Sequence, residues 1–195
     1  VKIIRGVVGV LVLGAGFGAV TSLVKDVSPM GGWAWAAKVA EVASLLLDAG
    51  WAWAALAVAV GWLAGGQARG AVAGVLALAA ATAAYYCTKS ALAQVPLAWS
   101  WRSMLYWWCA SALFGPPLGA VGASIRRPGV IGLLASLTVP VGAIVQMTFM
   151  PPRIFLLGRP AASWALVIVW TAAAVSIGVI LIRFFALRDA PLDDH

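Results

Sequence analysis

The chain has 195 residues, 64% hydrophobic and only 10% charged, where a soluble domain is about 25% charged. Its net charge of +7 is spread over single basic residues and one pair, Arg126 and Arg127, and not over the patch or stripe a nucleic-acid binder needs. This composition excludes a soluble globular domain and a nucleic-acid partner, and it points to the lipid bilayer as the chain's solvent, with basic residues flanking the spans.

Apolar stretches of about 20 residues cross a hydrocarbon core of about 30 Å. The first runs over 6–24, between Lys2 and Arg5 on one side and Lys25 and Asp26 on the other. No clear A-x-A cleavage site follows it, and its length marks a retained anchor rather than a signal peptide. Val1 is what a GTG start codon would give, and the bias to Ala, Gly, Val and Arg fits a GC-rich genome. Within the span, "VLVLGAGFGA" imitates a dinucleotide fingerprint at Gly14, Gly16 and Ala19. That motif needs a strand, a turn and a helix, and no α/β pattern follows. The same stretch reads better as Gly14-x-x-x-Gly18, a surface for close helix approach.

The hexapeptide "GWAWAA" occurs at 32–37 and again at 50–55. One spanning helix over both copies would put Lys38, Glu41 and Asp48 in hydrocarbon, where each isolated charge costs about 2.5–3.5 kcal/mol. As a separate helix over 33–47, Lys38, Glu41, Ser44 and Asp48 fall within one arc of about 120°. Trp35, Val39, Val42, Ala43 and Leu46 take the other side. The pattern predicts an amphipathic helix at the interface, with both hexapeptides anchored in one aromatic belt. Asp48 is the acidic residue closest to the hydrocarbon, and is a functional candidate on that ground or else a helix cap.

Spans follow at 46–66, 70–88, 104–125 and 129–150, and the last at 161–182. The fold class is therefore all-α: a polytopic membrane bundle of six transmembrane helices plus one interfacial helix, in a single domain over 1–195. Gly70/Gly74 and Gly115/Gly119 repeat the small-residue spacing, and with Gly14/Gly18 are candidate faces for helix or protein partners. Pro116, Pro117 and Pro140 lie inside spans, where kinks can build transporter sites. Gln146 is a weaker polar candidate. Cys87 and Cys109 read as small buried hydrophobes. The only histidine, His195, leaves no His-ligated metal site and no Ser-His or Cys-His pair. No catalytic residue, metal site or cofactor emerges, and the chain does not read as an enzyme.

With six spans both termini share a side. Seven Lys/Arg fall on that side and six on the other, and the tight turns at 65–70 and 125–129 lie with the termini. The expectation is a multi-pass plasma-membrane protein with both termini cytoplasmic. Tyr85, Tyr86, Trp99, Trp101, Tyr106, Trp107, Trp108 and Trp164 gather on the outer side, against Trp62 on the inner. This one-sided distribution reads as a belt or as an aromatic pocket open outward, suited to stacking and cation–π contact. Trp51 and Trp53 stand about 200° apart on a helix, so at most one of them can face inward. Trp101 and Trp108, seven apart, share a face if the fourth helix begins early. Trp51, Trp53, Trp101, Trp108 and Asp48 are the candidate ligand-binding residues.

The stretches "GAGFGAVTSLVK", "LDAGWAWAALAVAVGWLAG" and "FGPPLGAVGASIRRPGVIGLLASLTVPVGA" resemble a family of small six-span actinobacterial membrane proteins. The resemblance covers nearly the whole chain; it implies the span count and names no active residue. Size and span count are also similar to the substrate-binding components of energy-coupling-factor vitamin transporters, which implies ligand binding with partners supplying the energy. The alternative is a structural or assembly subunit of a larger membrane complex.

Overall fold

The structure is a computed structural model describing residues 2–27, 34–150 and 160–188. Nearly all of these are helical, and no strand occurs among them. The helices are α1 (Lys2–Val27), α2 (Ala34–Leu47), α3 (Gly50–Ala64), α4 (Gln67–Ala93), α5 (Trp101–Ser124), α6 (Val130–Phe149) and α7 (Pro160–Arg188), with a 3-10 turn at Leu97–Ser100 before α5. The chain is an all-α helical bundle. Gly32 and Trp33 of the first hexapeptide, the latter the first residue of the expected interfacial helix, and His195 lie outside the described residues.

Four helices, α1, α4, α6 and α7, are long and apolar enough to cross a membrane on their own. A fifth crossing results if α2 and α3, bent by 64° at their junction, count as one broken span. The expected span over 46–66 is thus interrupted: α3 has 15 residues, about 22 Å at 1.5 Å per residue, and Asp48 and Ala49 occupy the bend. Helix α5 is long enough, at 24 residues, but carries Trp, Tyr, Gly and Pro where the others carry Leu, Val and Ala. Other boundaries move by a few residues, most at the end of α7, which runs on to Arg188, and at the end of α4, which runs on to Ala93 until Gln94 adopts a left-handed cap with φ 53°.

Small residues set the helix register. Gly14 and Gly18 of α1 lie against Ala77 and Ala81 of α4, so close that a methyl on either glycine would collide with a backbone carbonyl. Both pairs ascend together, so α1 and α4 run parallel. Gly70 meets Gly119 and Gly74 meets Gly115; one number rises as the other falls, so α4 and α5 are antiparallel. Gly61 of α3 touches Gly119, and Gly122 touches Val58. Helices α3, α4 and α5 therefore meet at a glycine vertex. In lipid, association depends on such backbone approach, since apolar side chains gain little by leaving acyl chains. All three Gly-x-x-x-Gly faces are covered within the chain itself, which accounts for them without a partner. Helix α1 is continuous through Gly14 and Gly16, so the turn a dinucleotide fingerprint requires is not formed.

The other half of the bundle is α6 and α7, which contact each other extensively. A small core of Ala49, Ala143, Met147 and Val169, with Leu46, Trp51 and Leu166 against it, joins them to the α2–α3 bend. Helices α5 and α6 are unbroken through Pro116, Pro117 and Pro140. The break in helical backbone expected from prolines occurs instead at Asp48, where α2 turns aside to pack on α1 and α7. Lys38, Trp35 and Val39 are exposed on α2. Cys87 and Cys109 are at the bundle surface, contrary to the burial expected of them; their helix faces point away from the glycine vertex, where lipid makes apolar exposure inexpensive.

Candidate ligand cavity

The turn between α3 and α4 closes through Gly65, in the left-handed region at φ 70°. Below it, α3 and α5 are locked together at Gly61, Gly119 and Gly122. Following the two helices away from this vertex, the side chains grow from glycine to Trp53 on α3 and to Phe114 and Trp107 on α5. The helices cannot stay in contact, and a cavity of about 560 Å³ opens between them, with α4 as its back wall. This volume is within the roughly 300–1,000 Å³ of small-molecule sites.

The cavity has two unlike ends. Toward the glycine vertex it is walled by Leu78 of α4 and by Phe114 and Leu118 of α5, Phe114 being 56% exposed. Ser111 also lines it, but donates its hydroxyl to the Trp107 carbonyl at 2.7 Å, so that it is satisfied within its own helix. Toward the other end stand Trp53, Tyr85, Tyr86 and Trp107, and at the rim Lys25 and Asp48. Trp53 is fixed by edge-to-face contacts with Phe17 at 5.4 Å and Tyr85 at 6.4 Å, and Tyr85 by one with Tyr86 at 5.2 Å. Edge-to-face pairs prefer such separations.

Lys25 comes from the last turn of α1 and Asp48 from the α2–α3 bend. Their ion pair is short, with Nζ 2.6 Å from Oδ2, and each side chain is 45% exposed. The Tyr85 phenol neighbours the same ammonium. Asp48 is therefore neither an isolated intramembrane charge nor part of the polar stripe of α2. It ties three elements together at the cavity mouth.

The sequence candidates separate in the structure. Trp53 and Asp48 line the cavity. Trp51, two residues earlier, faces the other way into the α3–α6–α7 core, where its Nε1 is buried without a partner among the described residues. Its backbone N–H donates to Oε1 of Gln146 at 2.8 Å. Gln146 thus satisfies one of the orphan amides at the start of α3, and Gly50, with the Gln146 carboxamide 3.2 Å from where a Cβ would be, makes room for it. Trp101 and Trp108 stack edge to face at 5.9 Å, but line no part of the cavity: Trp108 donates its indole N–H to the Ala79 carbonyl at 3.1 Å and lies along the α4–α5 seam. The tryptophan of α5 that does face the cavity is Trp107. Lys25 and Phe114 are cavity residues that sequence reasoning did not place there, and Tyr85 was placed only within the outer aromatic group; the signal for Lys25 was its complementary charge to Asp48, 23 residues away. The two "GWAWAA" copies have no common environment, since Trp35 is exposed while Trp51 and Trp53 are inside.

At the opposite end, Arg126 lies over the Trp62 ring, 4.8 Å from its centroid, and Gln67 approaches Ser124 at 3.3 Å. No group of three His, Cys, Asp or Glu that could hold a metal occurs among the described residues. Comparison with protein-family models, with curated proteins and with solved structures gives no significant match, so the geometry alone carries the functional argument.

Proposed function

We propose that the chain is a multi-pass plasma-membrane protein, crossing six times with both termini cytoplasmic, that binds a small and mostly apolar ligand in the α3–α4–α5 cavity as a transporter-type component. The alternation of helix direction, with α4 against α5 and short turns reversing the chain between α3 and α4 and between α5 and α6, supports serial crossings. The resemblance to six-span actinobacterial proteins agrees with it. Helix α5 would cross by virtue of its glycine contacts with α3 and α4 rather than its hydropathy, and α2 would lie at the outer interface.

The observation that carries the ligand reading is the convergence of Trp53, Tyr85, Trp107 and Phe114 on one cavity with a single ion pair at its rim. A lipid-facing belt would spread these rings around the perimeter. The assembly-subunit reading draws no support from the Gly-x-x-x-Gly faces, which are already filled by neighbouring helices.

The test is native mass spectrometry of the protein released from lipid nanodiscs, beside Ala110→Trp, which puts an indole into the cavity. The expected result is a small molecule retained by the wild type and lost from the variant. Equal retention by both, or adducts of bulk phospholipid alone, would refute a ligand site here.

A further inference from the structure

We propose that the ligand is a single-chain amphiphile with an uncharged, hydroxyl-bearing head, of the monoacylglycerol or long-chain alcohol class, its chain directed toward Leu118 and its head held by Lys25 and Asp48. This rests on the ligand reading above and adds the chemical class.

Volume limits the chain. At about 30 Å³ for a group the size of a water molecule or a methylene, a cavity of about 560 Å³ has room for about 19 heavy atoms. That is one acyl chain with a small head, and far less than a two-chain phospholipid. Polarity fixes the direction. The two charged groups, Lys25 and Asp48, are at the rim, while Leu78, Phe114 and Leu118 wall the end nearer the glycine vertex, where the lining hydroxyls are those of Thr82 and of Ser111, the latter bonded within its own helix. A chain leaving the bilayer for this wall gains little by the exchange of one apolar contact for another. Selection among amphiphiles therefore falls to the head.

The head site is electrically self-compensated. Lys25 and Asp48 neutralise each other at 2.6 Å. An anionic head would approach Lys25 against the repulsion of Asp48, and a cationic head would approach Asp48 against that of Lys25, so either binds beside a like charge that offsets its gain. A hydroxyl meets no such offset. The ammonium has three donors and the ion pair engages only Oδ2 of Asp48. One hydroxyl can thus accept from Nζ and donate to the carboxylate while the pair stays closed.

The experiment reads tryptophan quenching in phosphatidylcholine nanodiscs by three probes sharing one terminally brominated C11 chain, short enough for the cavity: the monoacylglycerol, the alkyl sulfate and the alkyl trimethylammonium. Probe in the surrounding lipid quenches in proportion to its concentration, whereas bound probe gives a saturable part, assigned to the cavity by its loss in Trp53→Phe. The expected result is saturation by the monoacylglycerol at a concentration at least tenfold below either charged probe, weakened about tenfold in the Lys25→Met/Asp48→Asn double variant. Leu118→Trp, which shortens the end nearer the vertex, should shift preference to a shorter chain and serves if Trp53→Phe does not fold. Saturation at equal or lower concentration by a charged probe would overturn the head assignment and leave the ligand site standing. No saturable quenching by any of the three would remove both.

Discussion

Gly119 is where the bundle is least tolerant of a single methyl group. A Cβ there would collide with the Gly70 carbonyl oxygen and stand 2.7 Å from its carbon. Ordinary contact begins at 3.4 Å, so the α4 and α5 backbones must part by at least about 0.7 Å. Both obstructing atoms are backbone, and no rotamer relieves them. A radial gap of about 0.5–1 Å forfeits a quarter to a half of each dispersion contact along the crossing, which here includes Gly74–Gly115 and the α3 contact at Gly61. Overpacking of this kind costs about 1–3 kcal/mol, and each 1.4 kcal/mol is about a factor of ten in the folding equilibrium. Gly142→Ala in α6 is the control, since its Cβ would have nothing within 4 Å; it should change stability by no more than about 1 kcal/mol, in the favourable direction if helix propensity dominates. Reversible unfolding in mixed micelles, followed by circular dichroism, measures both. Indistinguishable midpoints for Gly119→Ala and Gly142→Ala would refute the claim that backbone contact at the vertex holds α4 and α5 together.

Three further outcomes follow from the same geometry. Lys25→Met should destabilise by less than about 1 kcal/mol, because the ion pair is half-exposed and solvent screens it, and the loss should shrink at high ionic strength in the same unfolding assay; a loss independent of salt would contradict the assignment. Cysteines at 38 and 41, in a background lacking Cys87 and Cys109, should react with impermeant thiol reagents from outside, position 38 faster because Lys38 is exposed and Glu41 is partly covered; complete protection of both would place α2 inside the bundle. Reporter fusions after His195 and near Lys89 should report opposite compartments, and the same compartment for both would exclude six crossings.

The helical bundle was legible because its determinants are local. Runs of Leu, Val and Ala of membrane length need no tertiary information, and the arc of Lys38, Glu41 and Ser44 located α2. The site was only half legible. Helical phase showed that Trp51 and Trp53 must diverge, but not which of them faces the cavity, since that depends on where α6 and α7 pack. Phase likewise placed Trp101 beside Trp108 without revealing that their shared face meets Ala79. Choosing Trp107 instead required knowing that Gly115 and Gly119 point at Gly74 and Gly70 of α4, contacts between residues more than 40 positions apart. The Lys25–Asp48 pair joins different helices, so no spacing rule encodes it. The prolines misled for the opposite reason: a rule about local backbone was applied where helices α5 and α6 accommodate the residue and continue.

The vertex and the cavity are one device. Three helices brought into backbone contact at Gly61, Gly70 and Gly119 can remain that close only while their side chains are absent, and along α3 and α5 they cease to be absent within about two turns. The widening is therefore set by residue size, not by a missing neighbour, and Trp53 and Phe114 occupy the position where the walls have just separated. Stability and opening are placed in different residues: the glycines hold α3, α4 and α5, while Lys25 and Asp48 fasten α1 and the α2–α3 bend across the far end through an interaction that contributes little to folding. The two ends thus differ in what holds them: at the vertex, backbone packing on which three helices depend, and at the rim, one half-exposed ion pair beside the packing of α2 on α1 and α7.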